Sequence, residues 1–190
     1  MKQTQLIILI SITLGAIFAT LFVNRPQLTR AAPNSGVVGT GTPASCTEAA
    51  LRTALAGGGS VTFNCGSSVA TITLTQQIVV TSTTSMNGLP NGIILSGGNT
   101  TRLFHVQSGV LYLHEINLRN GNANGGNGGV ALVEVGAGLD IYSGIHGGNQ
   151  ASFGGVVSNF GTLTMTYGLY FFNHATINGG VLDNVGTATL

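Results

Sequence analysis

The sequence predicts an all-β fold of the solenoid type, a stack of coils of about 25 residues each with a short capping helix at its N-terminal end. Three observations predict it. Apolar residues occur in short runs punctuated by Gly, Asn and Ser, a Gly-Gly-Val tripeptide recurs at nearly constant spacing, and charged residues make up only 6% of the chain. This combination is typical of a narrow, ordered β core.

The repeat is clearest in the C-terminal third of the chain. Gly128-Gly129-Val130 recurs at 154–156 and again at 179–181, so the spacing is almost constant. A unit of this length with three short strands cannot bury an apolar face alone, whereas stacked copies bury a continuous core. Equivalent positions should therefore form apolar ladders, with these members: Val130, Val156 and Val181; Val135, Phe160 and Val185; Leu139, Leu163 and Ala188; Ile141, Met165 and Leu190.

Two asparagine pairs recur in the same phase, Asn149 with Asn173 and Asn159 with Asn184. Asn suits tight turns, and its amide can bond along a stack of identical turns. We therefore expect asparagine ladders at the turns. Ahead of the repeats, short Thr-, Val- and Ile-rich segments predict strands over 61–64, 70–75, 78–82, 92–95, 102–106 and 110–114.

Residues 1–31 have the pattern of an export signal. Lys2 precedes an apolar stretch from Leu6 to Val23, and the small residues Thr29 and Ala31 predict cleavage after Ala31. A retained N-terminal anchor is the alternative, because the apolar stretch is close in length to a membrane span. Residues 32–44, rich in Gly, Pro, Ser and Thr, are expected to form a flexible linker.

Structure is expected to start with a capping helix within residues 45–59, followed by β-helix repeats over 60–190. Ser45 and Glu48 have the spacing of a capping box, good helix formers follow, and three glycines at 57–59 end the helix. Cys46 and Cys65 flank this segment, and export permits a disulfide between them. Two buried thiols or half of a metal site are the alternatives.

The repeats resemble a known group of proteins. Gly-Gly-Val, then Asn-x-Gly-Thr-Leu-Thr, then an aromatic residue three positions before Asn is similar to the GG[AIL] and F-x-x-N repeats of polymorphic outer membrane proteins. Cys46 to Cys65 likewise resembles the N-terminal cap of exported β-helix proteins, and 96–104 resembles one of their coils. The resemblance covers about residues 46–190 and implies a right-handed parallel β-helix; it says little about activity.

Composition excludes one class of partner. Without residues 1–31 the chain keeps three arginines against five acids, so it lacks the cationic footprint that nucleic-acid binding needs. A membrane would be contacted only through the N-terminal segment or through an anchor beyond the C-terminus of this sequence. We expect an extracellular or cell-surface location.

No catalytic, cofactor or metal residues are predicted. Asp140 and Asp183 fall at different phases of the repeat, aligned with Thr164 and Ser158, and Glu115 and Glu134 are isolated. Solvated surface acids are therefore expected, with a partial active site as the alternative. The histidines lack metal-ligand spacing and are expected to be structural; they are His105, His114, His146 and His174.

The aromatic run at Tyr167, Tyr170, Phe171 and Phe172 is the one candidate contact surface. Successive strand residues face opposite ways, so at least one ring should lie outside or at a corner, where it could stack on a sugar or pack against a loop. The sequence thus favours a non-catalytic secreted or cell-surface module of the adhesion or display type, with surface glycans or a host or neighbouring cell surface as partner. The alternative is a pectate-lyase-like polysaccharide lyase or hydrolase whose catalytic coils lie beyond Leu190, since the sequence ends within a coil.

Overall fold

The computed structural model describes residues 35–190, which form a β-solenoid of about six turns. Residues 1–31, with the predicted export signal, lie outside the described range. The first elements in chain order are β1 (Ser35–Val38), a 3-10 turn (Pro43–Ser45), helix α1 (Glu48–Leu55), β2 (Gly59–Phe63), β3 (Ala70–Thr73), β4 (Ile78–Val80), β5 (Thr84–Asn87), β6 (Ile93–Ser96), β7 (Phe104–Val106), β8 (Val110–His114), β9 (Ile116–Arg119) and β10 (Ala131–Val133).

The later coils repeat the same order of strands. They contain β11 (Gly138–Tyr142), β12 (Ile145–Gly147), β13 (Gln150–Phe153), β14 (Val157–Asn159), β15 (Thr162–Thr166), β16 (Leu169–Phe171), β17 (His174–Asn178), β18 (Leu182–Asn184) and β19 (Thr187–Thr189).

Equivalent strands of successive coils pair in parallel and build three long sheets. The first sheet has the order β1-β2-β5-β8-β11-β15-β19, the second β3-β6-β9-β12-β16 and the third β4-β7-β10-β14-β18; β13 and β17 form a short fourth sheet. All the strand pairs that build these sheets are parallel. The predicted all-β solenoid is therefore confirmed, while its right-handed winding stays a prediction.

Inward-facing residues stack into the expected apolar ladders. Leu139 pairs with Leu163, which pairs in turn with Ala188, and Ile141 pairs with Met165. Backbone hydrogen bonds likewise join Val130 to Val156. Because parallel strands lie about 4.8 Å apart, each apolar side chain packs on the equivalent one in the next coil.

The predicted ladder of Val135, Phe160 and Val185 is wrong at its first member, whereas Phe160 and Val185 directly follow the paired Asn159 and Asn184 and are level with each other. Val133 pairs with Asn159, so the next residue, Glu134, is level with Phe160. The chain then forms a four-residue turn, closed by the Ala137 N–H donating to the Glu134 carbonyl, and Val135 is 81% exposed at its tip. The equivalent turn after Asn159 is two residues shorter, so an alignment of the two coils at constant spacing wrongly places Val135 level with Phe160.

The expected linker contains a strand. Within residues 35–44, β1 pairs with β2, and Val38 is fully buried. The segment has no apolar periodicity of its own, but the backbone of β2 supplies its partners. In this position β1 covers the edge of the first coil, which would otherwise expose unpaired backbone groups.

Helix α1 lies against β1, and its cap differs from the predicted one. Thr47 is the N-cap, since its Oγ1 accepts from the Ala50 N–H at 3.2 Å. Ser45 closes the preceding turn instead, donating to the Thr42 carbonyl at 2.6 Å. Glu48 is then free to bind Arg52 at 2.6 Å and to accept from the Thr75 N–H at 3.0 Å, which ties the helix to the first coil.

A disulfide between Cys46 and Cys65 joins the start of this cap to the residue that follows β2 by two positions, with 5.6 Å between the Cα atoms. Both cysteines are buried. The bond closes the chain segment that contains helix α1 and β2, so the cap cannot detach while the first coil is folded.

The inner ladder of the second sheet ends in two polar rings. It runs through Leu95 and Leu118 to His146, which pairs with Tyr170 with ring centroids 4.9 Å apart. His146 is fully buried; its Nε2 lies 3.1 Å from the Ser143 carbonyl, whereas neither its Nδ1 nor the Tyr170 hydroxyl has a hydrogen-bond partner. Burial lowers the pKa of His146 to about 4 and raises that of Tyr170 to about 12.

Replacing both cysteines, as Cys46→Ser with Cys65→Ser, should lower the free energy of unfolding by about 3 kcal/mol, since the unfolded chain regains the entropy of an open loop. Urea unfolding measures the change. Reductant should shift the wild-type midpoint to that of the variant and leave the variant unmoved. An oxidised wild type no more stable than the variant would contradict the role of the bond.

Acid should destabilise the protein through His146. The unfolded state binds a proton near pH 6.5 but the folded state only near pH 4, so stability is full above 6.5 and falls as the pH drops to 4. At about 1.4 kcal/mol per pH unit, the loss is at most about 3 kcal/mol. His146→Leu, which extends the leucine ladder, should remove this slope in urea unfolding series, while the exposed His174→Leu should keep it. Equal slopes in the two variants would refute the assignment.

Candidate functional site

The outer face of the first sheet carries two ladders of polar and aromatic side chains. In each strand of this sheet the residues between the buried apolar positions point outward. The first outer ladder is Ser60, Ser85, Tyr112, Asp140, Thr164 and Thr189; the second is Thr62, Asn87, His114, Tyr142 and Thr166.

The aromatic platform is defined here as Tyr112, His114, Asp140, Tyr142 and Tyr167. Its rings form a continuous row: neighbouring centroids lie 6.1 Å apart from Tyr112 to His114, 5.6 Å from His114 to Tyr142, and 5.4 Å from Tyr142 to Tyr167. The first and last of these contacts are edge to face, with ring planes inclined by 85° and 73°, and the contact between His114 and Tyr142 is tilted at 56°. The row crosses three successive coils.

The platform is open to solvent. Tyr142 is 42% and Tyr167 is 81% exposed, and the His114 and Asp140 side chains are 39% and 29% exposed. His114 Nε2 lies 3.6 Å from Asp140 Oδ1, a contact between diagonal neighbours of two paired strands. A row of half-buried and exposed rings with one carboxylate beside it is unusual on a surface where single apolar residues are the rule.

A left-handed corner fixes the edge of the platform. Glu115, Ser143 and Tyr167 each follow a strand of the first sheet and have positive φ angles of 55°, 64° and 57°. This conformation costs a non-glycine residue about 1–2 kcal/mol. The stack offsets the cost, because the Glu115 N–H donates to the Tyr142 carbonyl and the Ser143 N–H to the Thr166 carbonyl. The corner turns Tyr167 out of the sheet toward Tyr142.

A groove of about 420 Å³ adjoins this corner. Its apolar wall includes Leu89, Ile145 and Leu169, and Tyr167 stands between the groove and the platform. Glu115 contributes the carboxylate, which accepts from the Ser143 hydroxyl at 3.0 Å. Rings, carboxylates and a groove therefore meet along one edge of the first sheet.

The predicted aromatic run divides between the core and two surfaces. Tyr170 packs on His146 inside, whereas Phe171 lies outside, with the Arg119 guanidinium 4.9 Å from its ring centre. Gly147 between them has no side chain, and a Cβ there would lie 2.7 Å from the Phe171 ring. Phe172, expected on the same side as Tyr170, is 88% exposed because its φ of 52° ends the alternation.

The asparagines of the predicted turn ladders lie directly over one another. Asn149 Nδ2 donates to Asn173 Oδ1 at 2.9 Å, and Asn149 Oδ1 accepts from the Gly121 N–H at 2.8 Å in the coil below. Asn159 Nδ2 donates to Asn184 Oδ1 at 2.7 Å. These amides connect successive coils and lie away from the platform.

Glu134 and Asp183, which the sequence did not place in any cluster, each have a partner in a neighbouring coil. Glu134 contacts His105 Nε2 at 2.7 Å, and Asp183 accepts from the Ser158 hydroxyl at 3.4 Å. Over residues 35–190 no three His, Cys, Asp or Glu side chains converge as metal ligands. In the same range no helix is long and apolar enough to span a membrane.

The platform was missed from the sequence because of its spacing. Tyr112 pairs with Asp140, and Asp140 pairs with Thr164, but the first of these two steps spans more of the chain than the second. The Gly-Gly-Val repeat recurs at nearly constant spacing, so aligning the chain on it gives a different phase. The signal in the sequence is the apolar pair Leu111 and Leu113, which matches the apolar pair Leu139 and Ile141. When these two pairs are aligned, the residues between and after them also align, and the platform is found.

Comparisons with protein-family models, with curated proteins and with solved structures found no match to this chain. The fold is that of a β-helix repeat protein. The specific resemblance to polymorphic outer membrane proteins stays a prediction.

Proposed function

We propose that this chain is a non-catalytic, secreted or cell-surface β-solenoid module of the adhesion or display type, which binds glycans on the aromatic platform. The observation that carries the proposal is the unbroken row of rings from the half-buried Tyr112 to the exposed Tyr142 and Tyr167. Tyr112, His114 and Tyr142 lie on paired strands of the first sheet and Tyr167 lies at the corner beside them, so the rings are positioned before any ligand arrives.

Carbohydrates match this surface chemically. One face of a pyranose ring presents mostly C–H groups, which pack against the face of an aromatic ring, while its rim presents hydroxyls. The coils on either side of the rings offer partners for those hydroxyls, among them Asn87, Thr164 and Thr166. A chain of sugars lying along the solenoid axis would meet both kinds of group.

Two observations support export. A disulfide persists in oxidising compartments, and the chain has one between Cys46 and Cys65. The Gly-Gly-Val and aromatic-x-x-Asn repeats resemble those of bacterial surface proteins. A place on or outside the cell surface is therefore part of the proposal.

Polysaccharide cleavage is the second candidate, favoured by the contact between His114 and Asp140 on the platform. Hydrolysis of a glycosidic bond commonly uses two carboxylates that flank the bond. Asp140 lies among the rings and Glu115 directly follows His114 in the chain, but the Glu115 carboxylate already accepts a hydrogen bond from the Ser143 hydroxyl. Under the leading proposal, bound glycan is released unchanged.

Tyr142→Ala and Tyr167→Ala should each weaken glycan binding about tenfold, since each removes one exposed ring and about 1.4 kcal/mol corresponds to a tenfold change. Binding of the full chain is measured by affinity electrophoresis in gels containing soluble polysaccharides. Phe172→Ala is the matched control, because it removes an exposed ring outside the platform.

Failure of every polysaccharide to retard the wild type would contradict the proposal, as would equal losses in Phe172→Ala and Tyr142→Ala. Release of new reducing ends or of unsaturated products, abolished by Asp140→Asn, would favour the enzyme instead.

A further inference from the structure

We infer that the platform selects glycans without acidic groups and discriminates against uronate-containing and sulfated ones. The inference rests on the proposed function and adds the chemical class of the ligand. It follows from where the charges of residues 35–190 lie.

The outer face of the first sheet has no cation. In the described coils the outward-facing side chains of its strands are hydroxyl, amide, aromatic, imidazole and aliphatic, with Asp140 as the one formal charge. Recognition of a carboxylate or sulfate in proteins depends strongly on Arg or Lys, whose N–H groups both neutralise and bond the anion. That contribution is missing on the platform.

The three arginines of the described residues are engaged elsewhere. Arg52 binds Glu48 on helix α1, Arg102 donates to the carbonyls of Asn127 and Gly128 at 2.9 Å, and Arg119 lies over Phe171 on the second sheet. Residues 35–190 contain no lysine. None of these guanidinium groups can turn to the platform without losing its own partners.

The charges that are present would repel an anion. Asp140 lies within the row of rings, and Glu115 lies beside Tyr167 in the adjoining groove. An acidic sugar stacked on Tyr142 would bring its carboxylate close to that of Asp140, and like charges at such distances repel, more strongly the lower the salt. The same carboxylates accept hydrogen bonds from the hydroxyls of an uncharged sugar.

The test compares polysaccharides that share a backbone and differ in charge. Binding of the full chain is measured by calorimetric titration at pH 8 with three pairs: hydroxyethylcellulose and carboxymethylcellulose, methyl-esterified and unesterified polygalacturonate, and dextran and dextran sulfate. For each backbone that is bound, we expect the acidic member to bind at least tenfold more weakly than its uncharged partner. Added salt should narrow the difference, because it screens the repulsion.

Charge variants assign the selectivity to the platform. Asp140→Asn should narrow the difference in affinity between the uncharged and the acidic member of a bound pair several-fold. Asp140→Arg should reverse it, so that the acidic member binds more tightly. Asp183→Asn is the matched control, since it removes one carboxylate from the third sheet, and it should leave the difference unchanged.

The possible failures are distinct. Equal or stronger binding of the acidic members overturns the inference and leaves glycan binding intact. An effect of Asp183→Asn as large as that of Asp140→Asn also overturns it, because the selectivity would then follow net charge. Absence of binding to all six polysaccharides overturns the proposed function, and the inference falls with it.

Discussion

Parallel, in-register pairing between successive coils is the constraint on which the structure depends. Each strand satisfies its backbone through the coils above and below, and equivalent side chains stack about 4.8 Å apart. A residue's surroundings are therefore set mainly by its ladder. Leu139 is buried because Leu111 and Leu163 flank it, and Tyr142 is exposed because His114 and Thr166 flank it.

The same constraint allows surface chemistry to vary while the core stays regular. The turns differ in length, as the extra residues of the Glu134–Ala137 turn show, yet the strands on both sides return to register. Corners can also adopt costly left-handed angles, because neighbouring coils hold them by hydrogen bonds. Tyr167 meets Tyr142 through such a corner, so the platform depends on the stack as much as the core does.

The features that could be predicted from the sequence are those that recur at regular spacing or that a short local motif specifies. Gly-Gly-Val and the Leu, Ile and Met ladders recur at nearly fixed spacing, and they identified the solenoid and its coil length, while the spacing of Ser45 and Glu48 identified the capping helix. The pairing of β1 could not be read from residues 35–38, since its partner is a distant strand. The N-cap at Thr47 was missed because Ser45, two residues earlier, also fits a capping box. The platform was missed because differences in turn length move Tyr112 and Asp140 out of the phase of the Gly-Gly-Val repeat.

The most direct test of the account measures the register that builds the platform. Cysteines at positions 112 and 140 (Tyr112→Cys with Asp140→Cys) should form a disulfide under mild oxidation, because paired Cα atoms of adjacent strands lie within the range that such a bond spans. Cysteines at 112 and 137 (Tyr112→Cys with Ala137→Cys), the pair that a strictly uniform coil length would join, should stay reduced. Thiol titration distinguishes the two results, and closure of the second pair in place of the first would contradict the account.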